Sequence, residues 1–531
     1  MSEKWDLTSR VSPYLDRHMM FPLLEFLDGL IGSNDIGYPS DEIQAARLAL
    51  LRPTKMKDYA MDILNASSGI DNKDQLLKEL DEEKKTVLEQ LETLKEGCKS
   101  LQELCDKEDQ LTKIKAAGQW NVAGLEKNHN ITKEMVDTYR QLARFKYDCG
   151  DYNSSRDMLA HYIALFASPP PTSDTNANNN EEDDFLQEST ANNSSSSKDA
   201  TGNASMYYLK SVDQDMLQVL WGKLASDIMA EDWTAASKAV EAVRTAIESM
   251  VSNNNNSSST ASSMSHIQAL QQRTWLLHWS LFVYWQINRG LEHLLELFHT
   301  DRYKQAITTH APHLLRYLTA AVLLCKRRKK NDKDKNSRNN KDDSPMLEAR
   351  RMLRHLVYVM QDCEYTDPIV DFVHSLLVKF DFEMAQTKLA ECQDVLKTDF
   401  FLCKSQDVFM EEARVFLFEN YCRIHHKIDL KALDFKFLAM DPAEAERWMV
   451  DLIRQSDVLQ QQSSGGSAAA KVQQDDCVIM ELEPQSIYEQ VMDRTRDLNV
   501  RSATLSQSLQ NRLVEAKKEK AKRERAAREE E

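Results

Sequence analysis

Along this chain an aromatic residue repeatedly stands one helical turn ahead of a small one: Tyr152 with Ser155, Trp233 with Ala236, Tyr303 with Ala306, and Phe382 with Ala385. Residues three apart share a helix face, so the aromatic fills space beside a neighbouring helix while the small residue lets that helix approach. Tyr139 to Phe166 shows the whole unit, two helical runs around a tight turn at Asp151-Tyr152. A hairpin of this kind covers its apolar face only by stacking on the next, which builds a solenoid. The copies are irregularly spaced, and polar insertions at 168–204, 253–265 and 326–344 account for much of that irregularity. Rich in Asn, Ser, Asp or Lys, they bury too little apolar area to offset the entropy of ordering and are expected as disordered loops.

A second organised stretch runs from Asp407 to Leu482. Phe409, Ala413, Phe416, Leu417, Tyr421 and Ile424 mark one face of a helix. Asp429 is expected to start a short second helix with Leu430, Leu433 and Phe437. The start of a third is well marked: Asp441 can cap it, Pro442 suits the first helical position, and Glu444 stands where a capping box places a carboxylate. Trp448 lies on its apolar face with Ala445, Met449, Leu452 and Ile453. Val458-Leu459 and Cys477 to Leu482 read as two strands around a Gln/Ser/Gly-rich loop, the wing of a winged-helix module. A groove-reading helix needs basic and amide side chains. The third helix instead sets Arg447 and Arg454 against Asp441, Glu444, Glu446, Asp451 and Asp457. Facing a polyanion, that balance is repulsive, so no direct sequence-specific nucleic-acid binding is expected and the module should meet protein.

A net charge of −17 over 531 residues agrees, since a general nucleic-acid binder is basic. The scarcity of glycine, at 13, favours helix. Nine cysteines without CxxC pairs read as reduced thiols of the cytosol or nucleus. The amino terminus lacks the build of a signal peptide, and no apolar run approaches the ~18 residues of a membrane span, so no membrane is expected. No GxGxxG, GxxxxGK[ST] or GxSxG pattern occurs, and neither His310-Ala-Pro-His313 nor His425-His426 has metal-site spacing. Neither an enzyme nor a cofactor is expected.

The remaining segments are helical. From Trp5 to Leu30 apolar residues alternate with charge, and Pro22 is expected to separate two helices. The leucines after it suit an export signal, but their spacing favours a buried helix face. Lys73 to Ile114 carries heptad positions at Leu77, Leu91, Cys98 and Cys105, and at Leu80, Val87, Leu94 and Leu101, open either to a second chain or to neighbours in this one. Lys326 to Lys330 suits a solvated loop better than a nuclear address or an RNA contact. Ile487 to Leu513 is a helix with Tyr488, Val491, Leu498, Leu505 and Leu509 in heptad-like register, a face that needs a helical bundle to cover it. Ile479 faces one side of the wing strand, and Val478, Met480 and Leu482 the other. An edge strand there, with Ile479 or Met480, is the expected joint to a neighbouring subunit.

The organisation is therefore a mostly α chain: an N-terminal helical region (1–135), a TPR/HEAT-like helical-repeat solenoid (136–400), a winged helix (401–484), and a C-terminal helix with a charged tail (485–531). A solenoid running into a winged helix resembles the PCI-domain family of the proteasome lid, the COP9 signalosome and translation initiation factor three. Asp6-Leu-Thr-Ser-Arg10, Tyr14-Leu-Asp-Arg-His18 and Phe21-Pro-Leu-Leu-Glu-Phe-Leu27 resemble more narrowly the e-subunit family of eukaryotic translation initiation factor three. So do Leu220-Trp-Gly-Lys-Leu-Ala-Ser226, Leu270 to Phe282, Asp381-Phe382 with Ala385-Gln386, and Glu444-Ala-Glu-Arg-Trp448 with Leu452-Ile-Arg454. The resemblance implies a non-catalytic scaffold joined to other PCI and MPN subunits through edge-to-edge winged helices and bundled C-terminal helices. It also implies docking of the d subunit and of initiation factor four G, work on the small ribosomal subunit in mRNA recruitment, and a cytoplasmic location with a minor nuclear pool. The rival readings are a PCI subunit of the lid or signalosome, which the quoted motifs oppose, and a winged-helix nucleic-acid binder, which the acidic third helix opposes.

Overall fold

The computed structural model describes residues 5–30, 38–66, 73–116, 119–168, 208–209, 213–256, 264–331, 345–424, 427–429, 470–473 and 477–480, with Arg447 and scattered positions from 488 to 513. The chain divides into two compact units, Met1–Arg414 and Val415–Glu531. The first contains the helical array. Helices Lys133–Asp148 and Tyr152–Phe166 make one hairpin, Gln214–Met229 and Trp233–Asn256 the next, and His266–Tyr284 and Gly290–His299 a third. Asp301–Thr309, Leu314–Asn331, Pro345–Asp362, Pro368–His374 and Phe382–Thr398 continue the stack.

The aromatic-to-small spacing has a definite structural origin. Tyr152, Trp233 and Phe382 each open a helix, and Ser155, Ala236, Ala306 and Ala385 are all 0% exposed. The hydroxyl of Ser226, on the facing helix, donates to that of Ser155 at 3.2 Å, a separation only small residues permit. Each of these helices is entered through one turn. A left-handed residue (Gly150, φ 89°; Glu231, φ 58°; Phe380, φ 55°) precedes Asp151, Asp232 or Asp381. Those carboxylates accept the N–H of Ser154 (3.2 Å), Ala235 (3.1 Å) and Met384 (3.0 Å), satisfying donors that the first helical turn leaves open. Tyr303 keeps the spacing but not the turn, its short helix following Thr300.

Ahead of the array come helices Met20–Leu30, Ser40–Leu51, Lys57–Ala66, Lys73–Gly97, Lys99–Cys105, Glu108–Ala116 and Val122–His129. Pro22 does not separate two helices as expected. It is the third residue of Met20–Leu30, where the missing N–H has no intrahelical acceptor to serve. Leu23, Leu24 and Leu27 are buried, so the leucine-rich segment is a core face. Lys73–Gly97 packs within its own chain against Lys57–Ala66 and Lys133–Asp148, with Lys57–Glu83 (2.8 Å) and Lys84–Asp58 (2.6 Å) bridging its flank.

The insertions begin and end differently from the sequence expectation. Strand β1 (Ala167–Ser168) pairs antiparallel with β2 (Tyr208–Leu209), closing the base of the first. Trp233–Asn256 extends into the second, and Leu314–Asn331 carries Lys326 to Lys330 as its C-terminal end rather than as a loop. Lys and Arg are good helix formers and suit the negative end of a helix dipole.

Candidate protein-interaction site

The helix Gln406–Ile424 runs across the boundary of the two units, with Phe409 and Ala413 buried in its part of the first and Phe416, Leu417 and Phe418 in its part of the second. The next described element is a strand, β3, spanning Lys427–Asp429, and the short helix expected to start at Asp429 with Leu430, Leu433 and Phe437 lies outside the described residues. With β4 (Ala470–Gln473) and β5 (Cys477–Met480) it forms an antiparallel sheet of order β3-β5-β4. The register sets Ile479 opposite Lys427 and Lys471, and Val478 opposite Ile428 and Val472. β5 is therefore the central strand, with its backbone groups already paired on both sides. A partner strand cannot add to it, and the edge expected at Ile479 and Met480 belongs, among the described residues, to β3 and β4. Asp441, Pro442, Glu444, Trp448 and the expected strand at Val458-Leu459 lie outside the described residues, whereas Arg447 is helical and exposed.

From 488 to 513 the described positions are helical. Their apolar side chains face solvent: Tyr488 is 83% exposed, Val491 55%, Leu498 63%, Leu505 63% and Leu509 51%. Met492 and Leu513, which heptad counting leaves out, are exposed too. They stand four residues from Tyr488 and Leu509, so an i, i+4 count would find both. The positions 488, 491, 495, 498, 502, 505 and 509 alternate steps of three and four, a single seam about 30 Å long. Thr495 interrupts it, its hydroxyl donating to the Val491 carbonyl at 2.7 Å, so the helix satisfies that group internally. Arg494, Arg496 and Arg501 are exposed in the same helix and give the seam a charged rim. Large exposed apolar stripes with polar rims are what protein interfaces cover.

The ionisable clusters of the first unit have a different character. Arg316, 1% exposed, donates through Nε to Asp367 Oδ1 (3.0 Å), through Nη1 to Asp399 Oδ2 (3.0 Å) and through Nη2 to the Trp5 carbonyl (2.7 Å). Tyr317 Oη and the N–H groups of Phe401 and Leu402 complete the Asp399 shell. Burial works against the Arg316 charge, but the two carboxylates outweigh it and its pKa is raised. Nearby, His278 Nδ1 is 2.7 Å from the Thr274 carbonyl and must donate to it. His278 Nε2 therefore accepts, and His313 Nε2, 2.8 Å away, donates to it. Burial holds both rings neutral, lowering His278 to about 4 and His313 to about 3. Tyr14 stacks on His278 at 4.3 Å. His310, by contrast, is exposed, and His425-His426 lie outside the described residues. Arg316 and the His278–His313 pair thus tie distant segments of the array together. Among the described residues no group of three or more His, Cys, Asp or Glu is placed to hold a metal ion.

Comparison with known proteins covers the chain from its first helices onward. Residues 6–146 match the family described as eIF3 subunit 6 N terminal domain. Over 510 residues the chain is 32% identical to the E subunit of eukaryotic translation initiation factor 3 from Aspergillus oryzae, covering 95% of this chain and 93% of that protein. It is 33% identical to the corresponding E subunit from Bombyx mori, with 95% and 94% covered.

Proposed function

Because the chain belongs to the E-subunit family of eukaryotic translation initiation factor 3, we propose that it is a non-catalytic scaffold subunit of that complex. In this role it supports assembly of the small-subunit preinitiation complex and mRNA recruitment. The observation that carries the scaffold reading is the apolar seam from Tyr488 to Leu513, which needs helices of other chains to cover it. Val491, Leu498, Leu505 and Leu509 are assigned to that joint. The order β3-β5-β4, with the last strand between the other two, favours a winged-helix module in which β3 and β4, the edges among the described residues, meet neighbouring subunits. Ile479 and Met480 then act through the faces of the sheet rather than through its edge.

The partners we infer are other PCI and MPN subunits of initiation factor three, its d subunit, initiation factor four G and the small ribosomal subunit. This work takes place in the cytoplasm, with a minor nuclear pool. The acidic balance of the third helix supports contact with protein rather than direct sequence reading.

The test is affinity purification of the full chain from cells with mass spectrometry, alongside the double variant Leu498→Lys, Leu509→Lys. The unaltered chain should bring down initiation factor three subunits and small-subunit ribosomal proteins, and the variant should lose them while remaining folded. Recovery of proteasome-lid or signalosome subunits without ribosomal protein would overturn the proposal.

A further inference from the structure

Stacked helical hairpins ordinarily touch only their neighbours, so their stabilities add locally and parts of an array can open separately. Residues 5–26 break that rule here. The Trp5 carbonyl accepts from Arg316, and the Arg10 guanidinium lies 5.9 Å from the centre of the Tyr365 ring. Tyr14 stacks on His278, donates to the His310 carbonyl at 3.3 Å, and through its own carbonyl accepts from Trp279 Nε1 at 2.9 Å. Asp16 accepts from Tyr147 Oη at 2.7 Å, and His18 Nδ1 meets Tyr152 Oη at 2.9 Å. Phe21 packs edge-on against Tyr59, and Phe26 against Phe400. A narrow cleft lined by Trp5, Asp6, Val11, Arg316, Asp399 and Phe400 marks the seam. One short segment thus holds the hairpin of 133–166, the helices of 266–284 and 314–331, and the end of the array near Asp399.

From this we propose that residues 5–27 are an intramolecular clasp that converts the array from a set of locally stable hairpins into one cooperative unit. The sense of the effect comes from connectivity. Opening the hairpin of 133–166 alone breaks the Asp16 and His18 contacts, which releases the segment also held at His278 and Arg316. Each local opening therefore disrupts contacts shared with distant hairpins, and the separate opening reactions merge into one. The clasp goes beyond the scaffold reading, because an array that opens in pieces could still carry a C-terminal joint.

Native-state hydrogen exchange on the full chain tests it. The most protected amides of 133–148, 266–284 and 382–398 should exchange through one shared opening. In Tyr14→Ala, Asp16→Ala their protection should fall about tenfold or more and also diverge, although 382–398 touches neither residue. Loss of protection confined to 133–166 and 266–284 would overturn the clasp, as would independent opening of the three helices in the unaltered chain. Should the double variant not fold, a protease site placed between Gly32 and Ser33 allows the segment to be cut after folding. Its removal should split the unfolding transition, and a synthetic peptide of residues 1–30 should merge it again. Removal with no change in the transition refutes the proposal.

Discussion

Two helices of this chain share one apolar period and have opposite fates. In Lys73–Gly97 the heptad positions Leu77, Val87, Leu91 and Leu94 are half-buried and Leu80 is 8% exposed, because Lys57–Ala66 and Lys133–Asp148 lie against them. In 488–513 the equivalent positions are more than half exposed. Period reports that a face must be covered, but the cover depends on elements far away in sequence. The first helix has its cover in cis. The second leaves these positions more than half exposed and is read as an interface.

The same change in both helices should separate them most widely. Leu80→Asp puts a carboxylate into a packed site and is expected to cost about 3–5 kcal/mol of the first unit's stability by urea unfolding. Leu498→Asp should leave that stability within about 0.5 kcal/mol and act only on recovery of the complex. If Leu498→Asp destabilised the isolated chain comparably, the seam would be covered in cis and the contrast would collapse.

Acid should divide the regions next. His278 and His313 are neutral when folded, with pKa values of about 4 and about 3, against an unfolded value near 6.5. Below about pH 6.5 the unfolded chain binds more protons, so stability falls as pH falls and keeps falling until the folded values are reached. Between pH 7 and pH 5 each histidine should remove about 2 kcal/mol from the first unit. His278→Gln, which can still donate to Thr274, should shrink that loss by a similar amount. Helix 488–513 holds no histidine, and its helicity should not follow.

The smallest effect is expected where apolar residues are scarcest, in a stretch of 28 residues whose only large ones are Phe185 and Leu186. Deleting 176–203 leaves the β1–β2 pairing at its base intact and should shift the thermal midpoint by less than about 1 °C. A loss of soluble protein would show that the segment packs on the array.

Much of the array is legible in the sequence because its rule is local. In three of the four copies an aromatic and a small residue three apart stand at a helix start with an aspartate capping it, and in the fourth, at Tyr303, the spacing lies within the helix. The clasp is not legible from spacing, since Tyr14 with His278, or Trp5 with Arg316, are pairings that no periodic pattern encodes. The residues from Asp6 to Leu27 resemble a family opening, and only their contacts give that resemblance a physical reason. His310 and His313 look alike in sequence, each fit for core or surface, and the fold sends one to each. The wing departs from expectation in a similar way. Two strands are expected there from their apolar runs, whereas Lys427–Asp429 pairs across half a hundred residues and makes Cys477–Met480 central. A three-residue strand with one apolar side chain leaves almost no signal of its own.

The clasp also imposes an order on birth. Its residues are made well before their last partner, Phe400, which follows nearly four hundred residues later. At roughly 5–20 residues per second, that interval is on the order of 20–80 s. Throughout it the contacts of Trp5, Tyr14 and Phe26 with Arg316, His278 and Phe400 are incomplete, although Leu24 and Leu27 can already pack on Ile43. A subunit of the machinery that starts translation thus closes its own clasp long after the clasp itself has been translated.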